Sequence, residues 1–245
     1  MSEEAAVHAG LDHLVVLADT LEQGAAWCER VLGVPAGPGG RHAQFGTHNR
    51  LLAIGSTAFP LAYLEIIAID PQTDRAVMRP GPRWFDMDDA HLQERVRTQG
   101  PSLIHWVARV PDAAAVAAAW ADRGLERGPV LDASRMTPAG ALRWRITVRP
   151  DGQRLLDGCL PTLIQWGGVH PSHDMSASGV TLAALRLQHP DADVLQQALA
   201  LAGLDPGQVE VAAQSRLRAE LMTPRGRVVL DSLQPGGVAD EGDRP

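Results

Sequence analysis

Apolar residues follow a recurring pattern along this chain. Residues 11–17 (LDHLVVL) form a short apolar run that is typical of a buried strand, and residues 21–32 then carry apolar side chains at helical spacing. The same order returns later, because residues 103–110 (LIHWVARV) are strand-like and residues 113–123 are helical. A capping Thr or Asp precedes each helix and a glycine follows it. The pattern therefore predicts a strand–helix unit that occurs twice.

Further strand-like segments follow each predicted helix. They cover residues 48–55 and 62–70 in the first unit, and residues 141–150 and 161–167 in the second. Two or three strands are expected after each helix, so each unit reads as βαβββ, which predicts an α+β fold made of two equivalent modules.

A third, shorter copy follows the first two. We place the first module at residues 10–71, a crossover connection at 72–100, the second module at 101–170 and a truncated βαββ module at 179–232. Where the first two copies carry histidine, the third has only Leu182, Ala183 and Ala184, and it is predicted to be structural. The Gly-, Pro- and acid-rich tail, 233–245, is predicted to be disordered.

Composition narrows the range of functions. The 245 residues carry a formal net charge of −7, and all 22 basic residues are arginine. The acidic balance disfavours nucleic-acid binding. The lack of lysine excludes Schiff-base chemistry and lysine-linked pyridoxal phosphate. The first residues lack the basic and apolar segments of a secretory signal, and no run approaches a membrane span, so we expect a cytoplasmic protein without a membrane partner.

Two histidines occupy equivalent positions in the repeat, and two polar residues lie in the last strands. His13 and His105 share the local pattern Leu-x-His-x-Val, while Glu65 and Gln165 interrupt apolar strands. Burying an unpaired Glu65 would cost several kcal/mol, so it needs a metal, a cation or a proton. A lone histidine on an apolar strand is, however, more often a hydrogen-bonded core residue than a ligand.

Strand alternation predicts which side chains share a face of the sheet. One set belongs to each of the four strands: Leu11, His13, Val15 and Leu17; Tyr63, Glu65, Ile67 and Ile69; Leu103, His105 and Val107; Leu163, Gln165 and Gly167.

Three segments carry a resemblance to a known family. LDHLVVLADTLEQGAAWCERVLGV, GGRHAQFGTHNRLLAIG and YLEIIAIDP resemble a glyoxalase-like domain group of the vicinal-oxygen-chelate superfamily. That superfamily includes glyoxalase I, extradiol dioxygenases and bleomycin-resistance proteins. The resemblance covers roughly residues 10–170 and is strongest in the first module.

The resemblance implies an eight-stranded, cup-shaped mixed sheet built from the two βαβββ modules. It also implies a divalent metal in the cup, with ligands at His13, Glu65, His105 and Gln165. Zn, Ni, Co, Fe and Mn all use such ligands, and a metal-free cup is the alternative. Without Gln165 the set becomes the two-His, one-carboxylate triad of non-haem iron oxygenases. The family more often has a carboxylate at the fourth position, which puts glyoxalase-type proton shuttling by Glu65 in doubt.

The segment GGRHAQFGTHNR is the second candidate for function. Its glycines permit sharp turns, and His42, Thr47, His48 and Asn49 offer polar atoms for substrate oxygens. The same side chains could instead satisfy their own turn. In the crossover, Trp84 and Phe85 either cover a pocket or anchor the connection.

Three functions remain open at this point. The first is a metal-dependent isomerase, lyase or dioxygenase that acts on a small oxygenated molecule, with Glu65 as the catalytic residue. The second is a non-catalytic protein that binds or sequesters a small molecule in the same cup. The third is an interaction module. Two modules in one chain complete a cup, so a homodimer is compatible with the sequence but not required.

Overall fold

The fold is described by a computed structural model covering residues 8–137 and 140–239. Two βαβββ modules and the crossover between them supply the first eleven elements. These are β1 (Gly10–Leu17), α1 (Leu21–Leu32), β2 (Arg41–His42), β3 (Thr47–Ala53), β4 (Tyr63–Ile69), α2 (Ala90–Gln99), β5 (Ser102–Arg109), α3 (Ala113–Ala121), β6 (Val130–Thr137), β7 (Gly140–Thr147) and β8 (Thr162–Trp166).

The helices begin and end where the sequence predicts caps and glycine stops. The Thr20 hydroxyl accepts the backbone N–H of Gln23 at 3.1 Å, and α1 ends at Gly33, whose φ of 76° is left-handed. The Asp112 carboxylate accepts the N–H groups of the first turn of α3.

The eight strands of the two modules form one curved sheet, which we call the cup. Its order is β2-β3-β4-β1-β5-β8-β7-β6. The two first strands, β1 and β5, pair antiparallel at the centre and join the modules. Within each module the first and last strands pair in parallel, as β1 with β4 and β5 with β8. This arrangement confirms the predicted α+β cup of paired modules.

Two hydrophobic cores lie on opposite faces of this sheet. The inner core fills the cup with Val15, Ile67, Val107 and Ile164 from the four central strands. Leu92 and Val96 of α2 also belong to it, so the crossover fills part of the cup. The outer core packs α1 and α3 against the convex face.

The third module extends the outer core. It contains β9 (Thr181–His189), α4 (Ala192–Leu201), β10 (Val209–Val211), β11 (Arg216–Thr223), β12 (Gly226–Asp231) and β13 (Gln234–Ala239). These strands form a second sheet in the order β10-β9-β11-β12-β13. The sheet packs near β5, and the indole N–H of Trp120 in α3 donates to the carbonyl of Ala198 in α4 at 2.8 Å.

The tail departs from the sequence prediction. Residues 234–239, which were predicted to be disordered, form β13 and pair antiparallel with β12. An edge strand with free backbone groups is available at β12, and pairing compensates for the weak strand propensity of the Gly- and Pro-rich sequence. Residues 240–245 of the predicted tail lie outside the described residues.

Two β-bulges change the predicted faces of the central strands. On β1, Leu11 pairs with Ala108 and His13 with Val107, which leaves Asp12 as an extra residue. On β5, Val15 and Val16 oppose His105 and Leu103, which leaves Ile104 as an extra residue. A bulge interrupts alternation, so Leu11 and Leu103 pack in the outer core instead of the cup. The prediction for β4 is confirmed, since Tyr63 and Glu65 face the cup with Ile67 and Ile69.

Within residues 8–137 and 140–239, no helix combines the length and apolar character that a membrane crossing needs.

Candidate functional site

The β1 bulge places Asp12 beside His13 on the cup side of the sheet. Asp12 Oδ1 accepts the Nδ1–H of His13 at 2.7 Å. Its Oδ2 accepts the indole N–H of Trp166 at 2.8 Å and the Nε2–H of His170 at 3.0 Å. The backbone N–H of Ser172 donates to His170 Nδ1, which leaves the proton on Nε2. Asp12 is therefore a fully buried carboxylate with three donors.

The three donors keep Asp12 ionised. Burial alone would raise the pKa of this carboxyl, but the charges and hydrogen bonds of His170 and His13 hold the pKa well below its usual range. An ionised Asp12 fixes the His13 ring with Nδ1 protonated, so Nε2 is the nitrogen directed away from Asp12.

His13 Nε2 lies 3.6 Å from Oε2 of Glu65, and both residues are buried. The other oxygen of Glu65, Oε1, accepts the amide N–H of Asn49 at 2.6 Å. The amide oxygen of Asn49 in turn accepts the backbone N–H of Gly40 at 2.7 Å. Glu65 therefore has one oxygen held by β3 and one directed to His13.

His42 completes the polar part of the site. Its Nδ1 lies 3.1 Å from the hydroxyl of Thr47, and the amide N–H of Asn49 points to its Nε2 at 3.4 Å. Burial lowers the pKa of His42 to about 4, although the charge of Glu65 acts in the opposite direction. His42 is therefore a neutral imidazole at pH 7.

Aromatic side chains form the walls around these polar groups. The ring of Tyr63 stacks on His13 with centroids 4.5 Å apart, and Trp84 stacks between Phe45 and Phe85 at 4.0 and 4.9 Å. Together they enclose an inner cavity of about 40 Å³ at His13 and Glu65. A wider cleft of about 900 Å³ shares its lining residues His42, Arg135, Trp144 and Trp166 with the inner cavity. Trp84 and Phe85 thus fulfil both predicted roles, since they are buried anchors that also line a pocket.

The second module does not bring its predicted ligands to this cavity. His105 is fully buried, its Nδ1–H donates to the carbonyl of Gly158 at 3.0 Å, and its Nε2 accepts the backbone N–H of Thr162 at 3.1 Å. Burial and the nearby charges of Arg127 and Arg154 lower the pKa of His105 well below the usual range. Both ring nitrogens are thus used within the core.

Gln165 lies on the opposite face of β8. Its neighbours Ile164 and Trp166 line the inner cavity, whereas its side-chain oxygen accepts the backbone N–H of Ala113 at 3.2 Å at the start of α3. The strand register shows which residue of the second module corresponds to Glu65. Glu65 pairs with Val15, two residues after His13, and the corresponding pair in the second module joins Val107 to Thr162. Thr162 is therefore the structural counterpart of Glu65.

The four residues expected to bind a metal consequently do not converge. His13 and Glu65 come together, His105 is satisfied by the backbone, and Gln165 lies outside the inner cavity, although it lines the wider cleft. In the part of the chain that the structure describes, no three His, Cys, Asp or Glu side chains lie close enough to hold a metal ion. The residues present do not fit the four-ligand centre that the family resemblance implies.

Three of the four predicted substrate-binding residues lie at the cup. His42, Thr47 and Asn49 belong to the network around Glu65, but His48 points to the other face of β3, where it lines a separate cleft with Arg50 and Asp70. Alternation along β3 explains this, because Thr47 and Asn49 share the face that His48 does not.

The sequence analysis missed three residues of the site. Asp12 could have been found, because it is a charged residue in the same apolar run as His13. His170 lies in a segment that reads as a linker, and Arg135 lies in a strand of mixed polarity. Neither position carries a local signal of burial.

The curved sheet of two βαβββ modules, with polar side chains on its concave face, defines a vicinal-oxygen-chelate fold. Residues 11–203 match the family model described as a glyoxalase-like domain. This match covers most of the chain, and the protein belongs to the glyoxalase-like domain family.

One similar solved structure agrees with this fold over nearly the whole chain. A hypothetical protein from Staphylococcus aureus is similar over 91% of this chain and 85% of its own, with 13% identity and a TM-score of 0.55.

Two further solved structures are similar over a shorter stretch. Methylmalonyl-CoA epimerase from Mycobacterium tuberculosis is similar over 64% of this chain and 86% of its own, with 17% identity and a TM-score of 0.36. A variant of the Streptomyces coelicolor epimerase, in complex with 2-nitronate-propionyl-CoA, is similar over 63% of this chain and 94% of its own, with 17% identity and a TM-score of 0.37. No curated protein matches the chain.

Proposed function

We propose that the protein is an enzyme that moves a proton on a small oxygenated molecule, as an isomerase or lyase, with His13 and Glu65 as its catalytic pair. The observation that carries the proposal is the 3.6 Å approach of His13 Nε2 to Glu65 Oε2 in a buried cavity. Two proton-transfer groups that both reach one enclosed space are the minimum for removing a proton from one atom and supplying one to another.

The surroundings assign a role to each group. Glu65 Oε2 is the base that takes a proton from a carbon next to a carbonyl group. His13 donates its Nε2 proton to the carbonyl oxygen, which gives the enol form of the substrate. Asp12 accepts the Nδ1–H throughout and stabilises the imidazolium that must precede donation. Glu65 then delivers its proton to the neighbouring carbon of the enol, while His13 Nε2 takes a proton from the hydroxyl group on the first carbon, which gives an isomerised product and restores both groups.

The remaining residues support this pair. Asn49 holds the non-reacting oxygen of Glu65, and the aromatic walls exclude water from the exchange. Each step uses side chains of this chain alone, so the proposal requires no metal ion.

Hydrogen exchange tests the proposal without knowledge of the natural substrate. Hydroxyacetone and 2-oxobutanoate are incubated with the protein in D2O, and loss of the proton signal next to each carbonyl is followed by NMR. We expect exchange above the buffer rate with at least one of them. Glu65→Gln should slow it by about 100- to 10,000-fold. Glu29→Gln, the same change on the exposed face of α1, should leave the rate unaltered.

Two results would count against the enzyme. One is exchange no faster than in buffer with both compounds, and the other is equal exchange by Glu65→Gln and the parent protein.

A second candidate function is binding without catalysis. The specific observation in its favour is that His105 and Gln165 do not join His13 and Glu65, so the cup has fewer reactive groups than the family resemblance implies. A ligand that binds in the cup with no exchange of its protons would favour this alternative.

A further inference from the structure

Arg135 is a charged residue on the inner face of the cup. Along the β6–β7 hairpin, Ala133 opposes Trp144 and Arg135 opposes Leu142, and the other three all belong to the inner core. Arg135 shares their face and lines both the inner cavity and the wider cleft. Gly40 directly precedes β2, the edge strand at the other end of the cup. The absence of a side chain there leaves room for Arg135, because a side chain at position 40 would collide with its guanidinium.

This guanidinium has no carboxylate partner. Among the described residues, Arg135 forms no ion pair within 4.0 Å with an Asp or Glu and no hydrogen bond. Other arginines near the cup differ, because Arg154 pairs with Asp86 at 2.8 Å and Arg83 with Asp88 at 2.5 Å. A partly buried guanidinium with five donors and no acceptor is a position that an anion would stabilise.

A second donor at the cavity is also without a partner. Trp84 is only 5% exposed and lines the inner cavity, yet its Nε1–H has no acceptor among the described residues. Buried indole N–H groups usually find an acceptor, because leaving one unpaired costs about 1–3 kcal/mol. The guanidinium of Arg135 and the indole N–H of Trp84 are thus two donors without an acceptor, on two residues that line the same cavity.

From these unmatched donors we infer that the cup takes small carboxylic acids, with the carboxylate held by Arg135 and by the indole N–H of Trp84. A guanidinium matches a carboxylate in a bidentate geometry, which makes it selective for this group over a neutral amide. The aromatic rings around the site favour a planar or apolar body next to the carboxylate. The inference names the substrate class of the site described above, and so it rests on the proposed function.

Phenylacetate and 2-phenylacetamide form a matched pair of probes, because they differ in charge but hardly in shape. Binding is measured by calorimetry at pH 7. We expect phenylacetate to bind at least about tenfold more tightly than the amide, in line with charge-assisted hydrogen bonds. Arg135→Gln should remove that preference by weakening phenylacetate alone, and Arg135→Lys should restore part of it.

Two further variants separate the site from general effects. Arg123→Gln makes the same change in net charge at an exposed position at the end of α3, so it should keep the preference within about twofold. Trp84→Phe keeps the ring and removes only the N–H, so it should weaken phenylacetate several-fold and leave the amide unchanged. Equal binding of the two probes, or an equal loss in Arg123→Gln and Arg135→Gln, would overturn the inference.

The catalytic proposal and this inference fail in different ways. Glu65→Gln should slow proton exchange by about 100- to 10,000-fold and still prefer phenylacetate, because Arg135 is unaltered. A parent protein that prefers phenylacetate and exchanges no protons overturns the catalytic proposal alone. A protein that exchanges protons on hydroxyacetone and shows no preference between the probes overturns the substrate class alone.

Discussion

The two modules place a histidine and a polar residue at the same pair of backbone positions, yet they use them differently. In the first module, His13 Nε2 faces the carboxylate of Glu65 at 3.6 Å beside the inner cavity. In the second, His105 Nε2 accepts from the backbone of Thr162 at 3.1 Å inside the core. The histidine is common to both modules, and its partner decides what it does.

The difference shows which observation distinguishes a reactive histidine from a structural one. The Nδ1–H of His13 is held by an ionised carboxylate, which leaves Nε2 available to a ligand. The corresponding Nδ1–H of His105 is held by a backbone carbonyl, and its Nε2 is already occupied. Burial does not separate them, because both rings are buried.

The largest expected effect belongs to the carboxylate behind His13. Asp12→Asn removes the acceptor that fixes the ring and stabilises its protonated form, so we expect proton exchange to slow by about 100- to 10,000-fold. The rate is measured by NMR in D2O, with Asp122→Asn at the exposed end of α3 as the matched control. An unchanged rate in Asp12→Asn would mean that His13 is no more reactive than His105.

A change at His105 in the second module should lower the stability of the protein and leave the rate of proton exchange unaltered. His105→Leu leaves the N–H of Thr162 and the carbonyl of Gly158 buried without partners, which should lower the free energy of unfolding by about 2–4 kcal/mol. Urea denaturation measures this loss, and the exchange rate per folded molecule should stay at the parent value. A stable variant that has lost exchange would place His105 in the active site after all.

The repeat itself could be predicted from the pattern of apolar residues, and the helix at residues 21–32 was predicted with its bounds. The counterpart of Glu65 in the second module could not be predicted, because the loops before the last strands of the two modules differ in length. Residues 54–62 separate β3 from β4, whereas the longer loop of residues 148–161 separates β7 from β8. Matching polar residues by their appearance in the last strand therefore selected Gln165, although the register aligns Thr162 with Glu65.

The sequence also could not predict which side chains of the central strands β1 and β5 face the cup. A β-bulge adds one residue to a strand and reverses the alternation on one side of it, and nothing in LDHLVVL or LIHWVARV marks the extra residue. The need of Asp12 for hydrogen-bond donors could have been predicted, since a carboxylate in an apolar strand is costly to bury without them. The donors themselves come from Trp166 and His170, which are distant in sequence.

Both modules should contribute to a loss of stability in acid. The pKa of His42 is lowered to about 4 and that of His105 well below its usual 6.5, in each case mainly by burial. The unfolded chain therefore binds more protons than the folded one below pH 6.5, and stability falls as the pH falls. Each excluded proton adds a slope of about 1.4 kcal/mol per pH unit.

Denaturation curves between pH 7 and pH 4 measure this slope. His42→Gln should make the slope shallower over the whole window, because one of the two excluded protons is gone. A parent protein with the same unfolding free energy at pH 7 and pH 4.5 would contradict the neutral state of both rings.

The smallest effect is expected at Gln165. This residue also offers the most direct test of the difference between the two modules. Gln165→Ala removes one hydrogen bond to the first turn of α3, so the free energy of unfolding should fall by only about 0.5–1.5 kcal/mol. Proton exchange should not change, because Gln165 does not line the inner cavity that holds His13 and Glu65. Elemental analysis of the parent, His13→Gln and Gln165→Ala proteins provides the decisive control. A divalent metal that is present in the parent and lost from both variants would mean that Gln165 reaches the cup in solution, and the two modules would then form one metal centre.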